Sequence, residues 1–485
     1  MSMLPTIIQG GMGAGVSSWR LARAVSSHGQ LGVVSGTALD QILARRLQDG
    51  DPGRHIRRSL ERFPFPAMAR RVWDAYHIDG GKFRDASYVR LPMFEKDSPR
   101  ELIELCVVAN FVEVDLAREG HAHPVGINYL EKIQMPHLAS IFGAMLAGVD
   151  FVLMGAGIPV HVPDVLEAFA HHEPATYPLH VIGAGECDDT LMRFDPLDFA
   201  EGPLPPLERP LFVAIIASNV LAVSLLKKTG GRIDGFVIEG PTAGGHNAPP
   251  RGKLQLDAAG EAVYGERDKV DLAKIRELNR PFWLAGGYGS PEKLREALAT
   301  GATGVQVGTA FAYCVESGLR DDYKRALLEK VAAGTASVFS DPQASPTNFP
   351  FKVARLEGTL SERDVFEKRP RICDLGFLRE AYLADDGEIA YRCSAEPPSL
   401  YVSKGGTLEN TRGRVCICNA LMATVGLQQV RKGRLVEAGI VTSGNDLSEL
   451  GRFMPPGELE YRAADVLDIL LAGAAEGPGQ TLVPL

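Results

Sequence analysis

The 485-residue sequence lacks the long apolar stretch that a membrane helix needs. No run approaches the roughly 18 apolar residues required to cross a bilayer, and the first residues do not pair a basic segment with an apolar one as a signal peptide does. Seven cysteines, an odd number in a chain of this length, give no sign of a disulfide framework. We therefore expect a cytoplasmic protein that keeps its thiols reduced.

Positive charge is also in short supply. The net charge is -9 and the isoelectric point is near 5.7. Because proteins that bind nucleic acids neutralise phosphates with a basic surface, this balance argues against a nucleic-acid partner. A hydrophobic content of 45% is ordinary and is enough for a large core.

A complete dinucleotide-binding motif is missing as well. The apolar residues 5–9 run into a glycine-rich turn, but Val16 stands where the third glycine of the pattern that includes Gly11 and Gly13 should be. No second strand ends in an acidic residue about 20 positions later. A Rossmann domain is therefore disfavoured, and the segment predicts only a strand, a glycine turn and a helix.

Strands that alternate with helices are the main feature that is present. Such alternation predicts a parallel α/β fold, either a closed (β/α)8 barrel or an open doubly wound sheet. Glycine turns after the last two strands favour the closed TIM barrel, where such turns commonly form a phosphate site. The eight predicted strands are 5–9, 31–35, 124–130, 151–154, 211–217, 236–239, 282–285 and 304–307.

Two segments exceed what a barrel requires. Residues 37–123 are far longer than an ordinary loop after a strand, and they predict a helical insertion after the second strand. Residues 312–485 predict a mostly helical C-terminal extension that packs on the barrel. We thus expect a barrel at 1–311 and an extension at 312–485, which would also be the place for a pathway partner or a second copy to bind.

One histidine follows the sixth predicted strand. This strand, 236–239, is apolar except for Glu239 at its end. Small residues then lead to Gly244, Gly245 and His246. Catalytic side chains of barrels lie at the carboxyl ends of strands. His246 is therefore a candidate catalytic residue, and the alternative is a loop histidine bonded to a backbone carbonyl.

The ends of the last two strands favour a phosphate. Gly286 and Gly287 allow close approach of the backbone, and Gly308 and Thr309 add N–H groups and a hydroxyl. Polar groups at three other strand ends could hydrogen-bond a flat heterocycle. They are Asn128, Gln306 and the turn at Met12 and Gly13. One phosphate and one ring system fit FMN better than a dinucleotide.

Five motifs together resemble the nitronate monooxygenase family, also called 2-nitropropane dioxygenases. The family includes the flavin-dependent enoyl reductases of the FabK type and the PfaD-like reductases. The motifs are GGMGAGVS at 10–17, PVGINYL at 124–130, GPTAGGH at 240–246, AGGY at 285–288 and VQVGT at 305–309. They cover the barrel, residues 1–311.

The resemblance implies an FMN-dependent oxidoreductase on a TIM barrel with His246 as the catalytic base. The implied activity is oxidation of alkyl nitronates with O2. An enoyl-thioester reductase that uses NAD(P)H, or a flavin-binding accessory subunit without turnover, is the alternative. The implied FMN-binding positions are Met12, Gly13, Asn128, Glu239, Gly244, Gly286, Gly287, Gln306, Val307, Gly308 and Thr309.

Two features depart from the family pattern or lie outside it. Glu239 stands where many relatives carry a glutamine, so this carboxyl is either protonated by burial or places a negative charge beside the flavin. Cys373, Cys393, Cys416 and Cys418 lie close in sequence and could bind zinc or an iron–sulfur cluster. Because the usual C-x2-C spacing is missing, we predict no metal and treat them as buried apolar side chains.

Overall fold

Eight parallel strands form the central sheet of the computed structural model, which describes residues 4–475 except 186, 433 and 434. Their order in the sheet is β1-β8-β7-β6-β5-β4-β3-β2, so each strand lies beside its sequence neighbour. This order is the one a TIM barrel requires, and the predicted fold class is confirmed. The strands are β1 Ile7–Gln9, β2 Gly32–Ser35, β3 Val125–Leu130, β4 Phe151–Gly155, β5 Leu211–Ile216, β6 Gly235–Glu239, β7 Phe282–Ala285 and β8 Gly304–Val307.

The barrel closes between β1 and β2 through few contacts. Ile8 bridges Leu31 in parallel, and the backbone N–H of Gln9 donates to the carbonyl of Leu31 over 2.9 Å. Beyond that bridge, the side chain of Gln9 replaces a backbone hydrogen bond between the two strands, because its Oε1 accepts from the N–H of Val33 at 3.0 Å. Gln9 is fully buried, so closure satisfies a polar group that would otherwise be costly.

The barrel interior is filled by alternate side chains of the strands. These residues form a core cluster separate from the larger one between the strands and the outer helices: Ile8, Leu31, Val33, Phe151, Leu153, Val213, Val237, Trp283 and Ala285. Trp283 is fully buried and donates its indole N–H to the carbonyl of Pro5 at 2.8 Å. The interior is therefore a packed core and not a pore, and in barrels of this kind functional sites lie at the carboxyl ends of the strands.

Helices cover the outside of the barrel. Their apolar stripes face the sheet, as expected for helices that connect parallel strands. They are Trp19–Ser27, Arg100–Arg118, His137–Leu146, Val162–Ala170, Asn219–Lys228, Leu272–Arg276, Pro291–Ala299 and Thr309–Ala312. A further short strand, Val181–Ile182, lies outside the barrel sheet.

The insertion after β2 is helical. Besides the barrel helix that ends it, the insertion contains Leu39–Gln48, His55–Leu60 and Pro66–Tyr76. These helices pack against Arg100–Arg118 on the side of the barrel. Of the described residues of the insertion, only Thr37 and Ala38 line the cavity at the carboxyl ends of the strands. The insertion is therefore not the roof of that cavity.

The C-terminal extension, predicted to be mostly helical, contains both helices and strands joined by long irregular segments. The strand Phe351–Ala354 pairs with Val338–Asp341 on one side and with the short strand Gly245–His246 on the other. A second small sheet joins the extension to Val181–Ile182. The other elements are Asp321–Ala332, Arg363–Lys368, Glu380–Leu383, Ile389–Arg392, Pro398–Ser403, Ile417–Thr424, the 3-10 segment Asn445–Phe453 and Ala463–Ala475.

No helix among the described residues is long and apolar enough to span a bilayer.

Candidate functional site

The main candidate site is a cavity of about 220 Å³ at the carboxyl ends of the barrel strands, called the barrel-mouth cavity below. Every residue predicted for the site lines it. These residues are Met12, Gly13, Asn128, Glu239, Gly244, His246, Gly286, Gly287, Gln306, Val307, Gly308 and Thr309. They come from six separate segments, and the barrel brings them together because parallel strands end on the same face.

Backbone N–H groups are free at the end of the cavity beside β7 and β8. Gly286 and Gly287 have φ values of +88° and +76°, which leave their amides outside the sheet. Among the hydrogen bonds of the described residues, none uses the amide of Gly286, Gly287 or Thr309 as donor. The helix Pro291–Ala299 begins nearby with Ser290 as its N-cap, whose hydroxyl accepts from the amide of Lys293 at 3.2 Å. These are the features of an anion site.

A loop of the extension covers this end of the cavity. The amide of Gly444 donates to the hydroxyl of Thr309 at 3.0 Å, and a Cβ on Gly289 would come within 3.0 Å of Oδ2 of Asp446. Burial raises the pKa of Asp446, because desolvation penalises its charged form.

Polar groups that suit a flat ring line the middle of the cavity. Oε1 of Gln306 is buried and has no hydrogen-bond partner among the described residues. A Cβ on Gly11 would lie 2.5 Å from Cβ of Asn128, so glycine is required where the first loop passes this side chain. An unpartnered buried amide oxygen is costly, and a ligand with ring N–H groups would satisfy it. The cavity therefore offers partners both to an anion and to a flat ring that carries N–H groups.

His246 is held by the C-terminal extension. It pairs in register with Phe351, whose ring centroid is 4.8 Å from the imidazole centroid. Its Nε2 lies 2.7 Å from the hydroxyl oxygen of Ser345. The ring is half-buried and lines two cavities, and its desolvation lowers the pKa of His246 from 6.5 to about 4. The imidazole is neutral at pH 7 and can accept a proton.

Glu239 lies on the wall between this cavity and a second one. Both cavities are lined by Glu239 and His246. Among the described residues, the Glu239 carboxylate has no hydrogen-bond donor close by, and desolvation raises its pKa from 4.5 to about 7. Of the two alternatives that the sequence left open for this carboxyl, burial favours protonation.

Substituting Glu239 tests this raised pKa. The fold favours the protonated carboxyl, so stability is fully present below pH 4.5 and is lost as the pH rises to about 7. We expect Glu239→Gln to raise the thermal unfolding midpoint by about 2 °C at pH 8 and to leave it unchanged at pH 4. Scanning fluorimetry across this pH range measures it, with the exposed Glu208→Gln as control. Equal effects at both pH values would contradict the raised pKa.

The second cavity has a volume of about 390 Å³ and opens beside β4, β5 and β6. Apolar side chains such as Ile215, Leu221 and Phe349 line it together with the exposed cations Lys132 and Arg251. The loop after His246 supplies part of its wall through Pro249 and Tyr264. This cavity therefore connects the wall at His246 and Glu239 to solvent.

The four clustered cysteines are close in space. Cys393 and Cys416 are buried in one small cluster against which Cys373 packs. The neighbouring thiol of Cys393, together with burial, raises the pKa of Cys373. Within the described part of the chain, no group of three or more metal-ligating side chains has a geometry that could hold a metal ion. Cys418 lines the barrel-mouth cavity.

The sequence did not predict the contribution of the extension to the site. It forms the roof of the cavity with side chains from four separate segments: Phe351, Phe377, Leu378, Ile417, Cys418, Leu421, Thr442 and Ser443. These residues are apolar or small, and half of them stand in irregular segments. No motif marks them, so only their position in the fold reveals them.

Comparisons with known proteins match the second half of the barrel. Residues 208–341 match the model of the nitronate monooxygenase family. A probable nitronate monooxygenase of Bacillus subtilis is 35% identical over 130 residues, which are 26% of this chain and 35% of the relative. An octahydro-1H-indene-4-carboxyl-CoA dehydrogenase of Mycobacterium tuberculosis is 28% identical over 123 residues, 25% of this chain and 31% of the relative. The chain thus matches about a third of the length of these relatives.

A solved structure is similar over the whole chain at low identity. FabK from Thermotoga maritima superposes with a TM-score of 0.49 and 14% identity, covering 98% of this chain and 94% of that one. The family match includes β5 to β8 with the segment Gly240–His246 and both glycine turns. The resemblance to the nitronate monooxygenase family that the motifs predict is therefore confirmed.

Proposed function

We propose that this chain is a flavin-dependent oxidoreductase that holds FMN in the barrel-mouth cavity. The observation that carries this proposal is the convergence of free amides at Gly286, Gly287 and Thr309 with the unpartnered amide oxygen of Gln306. The amides suit one phosphate and the oxygen suits a ring N–H of the flavin. When bound, the flavin supplies the redox chemistry, whereas the protein supplies position and electrostatics.

Oxidation of an alkyl nitronate is the first candidate reaction. The family match supports it, and a neutral imidazole at pH 7 is the form that can take the α-carbon proton of a neutral nitroalkane and so form the nitronate, which itself has no such proton left. In this proposal His246 is the base, and the apolar side chain of Phe351 beside it excludes water from the proton transfer.

Reduction of an enoyl thioester with NAD(P)H is the second candidate. The second cavity favours it, because a volume of about 390 Å³ lies in the range for a ligand much larger than a short nitronate. Lys132 and Arg251 line that cavity and could pair with the phosphates of a thioester carrier. Here His246 and the protonated Glu239 would orient the thioester and could supply a proton.

One anaerobic experiment separates the candidates. The purified protein is titrated with an alkyl nitronate, with NAD(P)H and with an enoyl thioester, and the flavin absorbance near its visible maximum is followed. Bleaching of the flavin by the nitronate alone supports nitronate oxidation. Bleaching by NAD(P)H, with recovery of the flavin absorbance when the enoyl thioester is added, supports enoyl-thioester reduction. Bound flavin that no reagent bleaches would support the accessory subunit. Protein that neither carries nor binds flavin would contradict all three.

A further inference from the structure

Ser345 is the one side chain that hydrogen-bonds the imidazole of His246 among the described residues. It belongs to the C-terminal extension, 99 positions from the histidine, and is fully buried. Its oxygen is 2.7 Å from Nε2 of His246 and 2.8 Å from Oγ1 of Thr347. The amide of Thr347 donates to the same oxygen at 3.2 Å. The serine therefore links the histidine to a hydroxyl pair inside the extension.

We propose that Ser345 is a positioning residue that holds His246 in the tautomer with the proton on Nε2. His246 lines both cavities, so Nδ1 is the ring nitrogen left for a ligand. In this tautomer Nδ1 carries the free electron pair. This inference rests on the proposed function, because a base that accepts a proton from substrate needs that pair.

The hydrogen-bond capacity of Ser345 is consistent with this assignment. A hydroxyl has one proton and two acceptor sites. When its proton points to Oγ1 of Thr347, the two acceptor sites receive the amide of Thr347 and Nε2–H of His246. All of its capacity is then used inside the fold. The reverse arrangement would place the proton of His246 on Nδ1 and leave no electron pair toward the cavities.

Desolvation makes the tautomer important. Because the pKa of His246 is lowered to about 4, the ring is neutral over the working pH range and only one nitrogen carries a proton. Without the serine the two neutral tautomers differ little in energy, and a large fraction of the protein would present N–H instead of an electron pair. Ser345 would in this way make the extension part of the catalytic machinery.

The test compares Ser345→Ala with Ser340→Ala in the full-length protein. Ser340 is buried in the same extension, but its hydroxyl has no hydrogen-bond partner among the described residues. Long-range 15N–1H spectra of histidine-labelled protein report the tautomer, and the His246 signals are assigned by their loss in His246→Ala. We expect the Nε2–H form in the wild type and in Ser340→Ala, and a mixture in Ser345→Ala.

Turnover gives the second readout. Loss of one hydrogen bond to the histidine should lower kcat about tenfold in Ser345→Ala with little change in KM, and Ser345→Thr, which keeps the hydroxyl, should restore most of it. A wild-type Nδ1–H tautomer, or a Ser345→Ala protein with unchanged tautomer and kcat, would overturn the proposal. The spectra need no turnover, so absence of flavin chemistry would refute the proposed function while the tautomer is still decided.

Discussion

Replacing His246 with alanine is expected to lower kcat by about 10²- to 10⁴-fold while the flavin stays bound. The imidazole lies on the wall of the cavity, whereas the anion site is formed by β7 and β8, so the substitution removes the base and leaves the cofactor contacts intact. Steady-state kinetics with the substrate identified by the anaerobic titration measures the loss, and the flavin spectrum confirms occupancy. The exposed His28→Ala is the control.

The pH profile gives the same assignment a second test. Because the pKa of His246 is lowered to about 4, its base form persists to low pH, and the activity that depends on it should fall only as the pH approaches 4. A further change near pH 7 is expected from Glu239 and should disappear in Glu239→Gln. If His246→Ala keeps its activity, the base is a different group, and Glu239 on the same wall is the next candidate.

The barrel was predictable because its information is local. An apolar run such as 211–217 marks a strand without reference to any other part of the chain, and β5 occupies Leu211–Ile216. Glycines at φ values that other residues avoid, such as Gly286 and Gly287, mark the turns in the same way. Parallel order then follows from the alternation, so the sequence alone places the residues at the strand ends on one face of the barrel.

The roof of the site could not be predicted because its contacts are distant in sequence. The strand that holds His246 is two residues long and pairs with Phe351, more than 100 positions away. Lys352, in the next register, is buried and donates to the carbonyl of Pro241 and to Asn445, both at 2.6 Å. A lysine inside a short strand suggests a surface segment, and only the tertiary partners make its burial favourable.

The protonation state of Glu239 could not be decided from the sequence. Its position after an apolar strand predicts a cavity-facing carboxyl, and the chemistry leaves it either charged beside the flavin or protonated. The decision depends on whether a cation or donor lies nearby. Among the described residues none does, and Lys352 is instead engaged with Pro241 and Asn445.

Gly286→Ala is expected to weaken flavin binding by more than tenfold, because this turn has no room for a methyl group. At φ +88° any other residue is strained, and a Cβ would approach Oγ1 of Thr242 to 2.9 Å and the amide of Ala243 to 3.1 Å. The turn at Thr242 leads to His246, so the clash should displace the anion site and the histidine together. Quenching of flavin fluorescence on titration with apoprotein measures the affinity.

Gly260→Ala separates backbone strain from crowding of the site. Gly260 has a nearly identical φ of +86°, but a Cβ there would meet nothing within 4 Å. Both variants pay a strain of about 1–2 kcal/mol in stability, so they should lose similar amounts from that source, and only Gly286→Ala should lose flavin affinity. Equal flavin affinity in the two variants would show that the turn at β7 does not form the phosphate site. The assignment of the barrel-mouth cavity to FMN would then be wrong.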